Sequence, residues 1–144
     1  MLPRFLFVLL ILVHPMVLAG SAACSKSQAA AAEKVAPSLR TWDALSNAFA
    51  KYGSCDDGAV AQGFTESVVR TLVEHWPSLD RLSELSRKNP EFRRFVLKHI
   101  NESAYLPDLK QVAELSKARC PTNLLGLCDE IHAASETALR RSPR

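Results

Sequence analysis

The chain has 144 residues, 47% of them hydrophobic, and a formal charge of +3. That length allows one small domain with a single core. The charge, one unit lower once Arg4 is lost with a leader, is too near neutral to point to nucleic acid.

Arg4 precedes an apolar run from Phe5 to Val13, and Gly20-Ser21-Ala22-Ala23 places small residues before Cys24. A basic start, an apolar stretch and a small-x-small site make residues 1–23 a signal peptide. Its apolar part, Phe5 to Ala19, is broken by His14 and Pro15. It is also shorter than the about 20 residues that a spanning helix needs. A cysteine after small residues is similar to the acylation site of bacterial lipoproteins. That site normally carries Leu, Val or Ile where Ser21 stands here. Cys24 is therefore read two ways, as a lipidation point or as an ordinary cysteine of a free periplasmic protein. Residues 24–36, small and polar, read as a flexible linker.

The helical domain is expected over 37–139, as an all-α orthogonal bundle of five or six short helices stapled by disulfide. Leu39, Trp42, Leu45, Phe49 and Tyr52 recur at helical spacing and stop at Gly53. The loop Ser54-Cys55-Asp56-Asp57-Gly58 follows, with Asp56 or Asp57 placed to cap the next helix. Val60, Phe64, Val68, Leu72 and Trp76 form its i, i+4 row, widened by Val69 and Val73, and Pro77 ends it. Leu79, Leu82 and Leu85 mark a short third helix. Asn89-Pro90-Glu91 is a stop and restart, and the fourth helix turns Phe92, Phe95, Val96 and Ile100 inward. Pro107-Asp108 opens a fifth helix that closes at Cys120-Pro121. A sixth runs from about Asn123 to Leu139. Residues 140–144 form a small basic tail.

Behind a signal peptide, cysteines read as disulfides. Cys120 and Cys128 flank the turn at Pro121-Thr122-Asn123 and would clamp a helical corner. Cys55 with either of them is the rival pairing. The cysteines lack a C-x-x-C pair and His75, His99 and His132 are scattered, so no metal site is read.

The loop Cys55-Asp56-Asp57-Gly58 could bind a cation, but helix capping accounts for its aspartates without a ligand. Glu66 and His75 stand nine residues apart on one helix, roughly 13 Å by helix rise, which is too far for one reaction centre. His99 beside Phe95 and Ile100 reads as a packed histidine. Arg93, Arg94 and Lys98 belong to a basic cluster that, with Asp56 and Asp57, offers a surface for a partner. No catalytic residue, cofactor or metal ligand is assigned.

Signal, helices, cysteines and size together imply a non-enzymatic interaction module of the periplasm or envelope, with another envelope protein as partner. In that layout the chain resembles the small periplasmic immunity proteins that neutralise cell-wall-attacking effectors. The likeness is architectural only. An inhibitor or immunity-type role is the expectation. The alternative is a lipoprotein binding a small molecule, metal or lipid, for which a pocket lined by the two Trp and the four Phe after residue 23 would speak.

Overall fold

The structure is a computed structural model that describes residues 23–143. Residues 1–22, which hold the expected signal peptide apart from Ala23, and the terminal Arg144 lie outside the described residues. Seven helices and no strand make up the described chain. They are α1 (Lys26–Val35), α2 (Trp42–Tyr52), α3 (Gly58–Glu74), α4 (Leu79–Lys88), α5 (Pro90–Lys98), α6 (Leu106–Ala118) and α7 (Leu125–Arg141), with single 3-10 turns between several of them.

The residues expected as a flexible linker, 24–36, are instead α1 and the start of a 3-10 turn (Ala36–Ser38). The physical reason is local as well as tertiary. Ser25 and Gln28 close a reciprocal capping box, with Gln28 N–H donating to Ser25 Oγ at 3.3 Å and Ser25 N–H donating to Gln28 Oε1 at 3.0 Å. Alanines then favour helix, and Ala32 and Ala36 are fully buried. Smallness, which made the segment look unable to build a core, is what lets it lie close to α3.

Gly63 of α3 is the counterpart of that close approach. A Cβ there would stand 2.9 Å from Ala36 Cβ and 2.9 Å from Pro37 Cδ. One turn on, Ser67 Oγ donates to the Ala36 carbonyl at 2.5 Å. α3 is buried along most of its length, through Phe64, Val68, Val69 and Leu72 together with Thr65, Ser67 and Thr71. α2 lays Trp42 and Leu45 against the core. Phe92 and Val96 of α5, Leu109 and Val112 of α6, and Leu127 and Ile131 of α7 complete it.

Helix ends follow the sequence. Thr41 caps α2, Asp57 caps α3, and Asn89 accepts from two backbone N–H groups at the start of α5. α3 stops at Glu74, and Trp76 sits in the 3-10 turn that follows, its indole N–H donating to the Arg119 carbonyl at 2.8 Å.

Cys120 pairs with Cys128 across the α6–α7 corner. Cys55 pairs with Cys24, and with neither Cys120 nor Cys128, because the turn after α2 lies against the start of α1, with the Cα atoms 4.9 Å apart. The Cys24 sulfur, read as either a lipidation point or an ordinary cysteine, is bonded to Cys55, and one sulfur cannot also hold a thioether. Two disulfides fit an oxidising, non-cytosolic compartment. No described helix is long and apolar enough to cross a membrane.

Candidate functional site

The turn at Gly53–Cys55, the first residues of α3 and the C-terminal end of α5 meet at one end of the molecule. Gly58 opens α3 with φ +51°, a left-handed conformation that disfavours any side chain. Asp57, exposed, uses Oδ1 to accept from Gly58 N–H at 2.8 Å. The capping role falls to Asp57 alone, and Asp56 turns inward.

Asp56 meets His99, the residue just beyond α5. His99 Nε2 lies 3.1 Å from both carboxylate oxygens, with its N–H aligned on Oδ2. Lys98 Nζ donates to the same Oδ2 at 2.7 Å, which leaves Oδ1 buried without an aligned donor. On its other side His99 Nδ1 is 2.9 Å from Thr65 Oγ1. Asn101 Nδ2 donates to that hydroxyl oxygen at 3.1 Å. Donor counting orders the neutral chain: Asn101 donates to Thr65, Thr65 O–H to Nδ1, and Nε2–H to the carboxylate.

Burial raises the Asp56 carboxyl. Hydrogen bonds from His99 and Lys98, together with the Lys98 charge, outweigh it and hold the group below the usual carboxylate value.

A hydroxyl, an imidazole and a carboxylate at these distances have the order of a nucleophile, base and orienting acid. Exposure decides against that use of them. Thr65 and His99 are each 1% exposed. The Phe95 ring stands 4.5 Å from the imidazole, centroid to centroid, and Asn101 occupies the Thr65 oxygen. The chain of bonds fixes the loop to α3 and α5, and offers no bound molecule a path to the hydroxyl.

Above it lies an open groove. Phe49 and Phe95, 4.8 Å apart between ring centroids, form its floor. Gly53, Asp56, Glu91, Arg94 and Lys98 line its sides. It continues past Lys51 and Ser54 to Gln28 on α1. Tyr105, 69% exposed, stands at the start of α6, one residue after Ala104, whose N–H donates to Asn101 O at 3.1 Å.

Of the surface residues expected from sequence, Asp56, Arg94 and Lys98 come together around this groove, and Asp57 stands beside it on the loop. Arg93 points to α7, where Nε donates to Glu130 at 2.8 Å. The basic cluster is largely neutralised within the chain, since Arg94 pairs with Glu91, Lys98 with Asp56 and Lys88 with Glu84. Thr65, Asn101 and Phe49 had no place in the sequence-level surface. The one signal for the buried chain was His99 continuing the Phe95 row at i, i+4, because a histidine on an apolar face needs a polar partner.

Both Trp and three of the Phe (Phe64, Phe92, Phe95) are packed into the core, which counts against a pocket lined by all of them. Among the described residues no group of three or more His, Cys, Asp or Glu is placed to hold a metal ion. Comparison with protein-family models finds no match, and neither the curated proteins nor the solved structures show a significant similarity.

Proposed function

We propose that this chain is a secreted, non-enzymatic protein-interaction module of the bacterial envelope, of inhibitor or immunity type. The observation that carries the reading is the groove: an aromatic floor of Phe49 and Phe95 inside a charged rim of Glu91, Arg94, Lys98 and Asp56. Interfaces concentrate their binding energy in such an apolar centre and leave charge to the edge. Rigidity supports it too. The loop that forms one wall is held by a disulfide at Cys55 and by His99 and Lys98 at Asp56, so little ordering remains to oppose binding.

Site-specific photo-crosslinking in envelope preparations tests the reading. A crosslinker at Ala50 or Arg94 should capture a discrete partner, and Phe49→Ala should abolish that capture. A crosslinker at Lys117 on α6 serves as the control. Equal capture from Lys117, or capture indifferent to Phe49→Ala, would remove the groove from consideration.

A further inference from the structure

α1 has little of its own to keep it on the molecule. It is ten residues long, and isolated helices shorter than about 12–15 residues are marginal in water. Within it only Ala32 is fully buried, with Ala31 and Val35 partly buried against the core, so its apolar contribution is small. What joins its N-terminal end to the rest is the bond from Cys24 to Cys55. Cys24 is partly exposed, and Cys55 is buried beneath it. Gln28, one turn into α1, lines the groove beside Phe49, Gly53 and Ser54.

The other disulfide is differently placed. Cys120 and Cys128 are 8 residues apart, at the corner between α6 and α7. Those two helices are held together by Leu109, Val112, Leu127 and Ile131, all buried. Breaking that bond leaves its two thiols facing one another. Breaking Cys24–Cys55 leaves one thiol on an alanine helix free to depart. The ease of reducing a protein disulfide rises as the encounter of its thiols in the reduced fold becomes rarer.

We propose that α1 is a strap and that Cys24–Cys55 is its redox latch, opened by a dithiol reductant before Cys120–Cys128. A thiolate of the reductant attacks the accessible Cys24 sulfur, the S–S bond breaks, and Cys55 leaves as thiolate and takes up a proton. The second thiol of the reductant then attacks the mixed disulfide, releasing Cys24 as a thiol and closing the reductant into its own disulfide. Two electrons and two protons pass to the protein. α1 then undocks from the turn at Gly53–Cys55, and the groove loses its Gln28 wall. Asp56, next to the freed Cys55, remains tied to His99 and Lys98. The regulatory meaning of this opening rests on the groove being the docking surface. The latch itself does not.

The test uses the oxidised protein under native conditions in graded dithiothreitol, quenched by alkylation and read by peptide mass spectrometry. Cys24 and Cys55 should be alkylated at reductant concentrations on the order of tenfold below those needed for Cys120 and Cys128. At that point hydrogen exchange in residues 26–35 should accelerate on the order of tenfold or more, with α6 and α7 unchanged. Cys24→Ser/Cys55→Ser should show the fast exchange without reductant. Should that variant not fold, the titration of the native chain still decides. Reduction of Cys120–Cys128 first or at the same midpoint, or continued protection of α1 after selective reduction, would overturn the latch. Partner crosslinking reads the docking surface separately, so the two ideas fail independently.

Discussion

Gly63→Ala tests the packing of α1 and its turn against α3. Alanine in the middle of a helix is favoured over glycine by about 1 kcal/mol, so helix propensity alone predicts a more stable protein. The structure opposes that with a Cβ 2.9 Å from Ala36 Cβ, 2.9 Å from Pro37 Cδ and 3.0 Å from Pro37 N. Comfortable carbon contacts are about 3.5–4.0 Å. The obstructing atoms cannot swing aside, because they belong to a proline ring and to backbone whose carbonyl is held by Ser67 at 2.5 Å. Strain of about 2–3 kcal/mol against a gain of about 1 kcal/mol leaves a net loss of about 1–2 kcal/mol. Urea unfolding followed by tryptophan fluorescence measures it as a lower midpoint at unchanged slope. Gly126→Ala in α7 is the control of opposite sign. Nothing lies within 4 Å of its Cβ, so it should gain about 0.5–1 kcal/mol. A Gly63→Ala midpoint at or above the wild type would refute the close approach.

Three further outcomes are expected. Thr65→Val keeps the shape of the side chain but takes the hydroxyl from both His99 and Asn101, and should cost about 1–3 kcal/mol in thermal unfolding. Thr65→Ser, which retains the hydroxyl, should cost clearly less, and equal losses would show that the bonds contribute nothing. In Glu84, hydrogen bonds from Lys88 and Arg81, with their charges, lower the carboxyl from 4.5 to about 2. A carboxyl lowered by folding contributes stability that is complete above its unfolded value and is lost as pH falls from 4.5 toward about 2. Glu84→Gln should therefore flatten that acid limb of the melting temperature, and an unchanged limb would remove the ion pairs from the explanation. Protein recovered from the envelope after expression with its leader should have the mass of the oxidised chain from Cys24, rising by four hydrogens on reduction, two for each disulfide. A mass increased by acyl groups would mean that Cys24 is not paired with Cys55.

How much of this was legible in the sequence depends on the range of the forces involved. The periodicity of Val60, Phe64, Val68 and Leu72 and the cap at Asn89 are settled within a few residues and stand where the sequence puts them, whereas α3 ends at Glu74, before Trp76 and the expected stop at Pro77. α1 was local too, through its capping box at Ser25 and Gln28, yet composition hid it. Alanine builds a core only when another backbone comes close, and that requires Gly63 on a different helix. The groove was half legible, since Asp56, Arg94 and Lys98 were visible as surface charge while its aromatic floor read simply as core.

By itself, then, the amino-acid sequence determined an all-α chain and the positions of most helix ends, and it favoured Cys120 with its near neighbour Cys128 while leaving Cys55 as a rival partner. Only the tertiary structure decided that Cys24 meets Cys55 at a separation of 31 residues. It likewise brought His99 to Thr65, 34 residues away, and to Asp56, 43 residues away. Spacing along a helix is written in the chain because each turn repeats the one before it. Contacts across the fold are not, because they arise only once the helices have packed and brought distant residues within bonding distance.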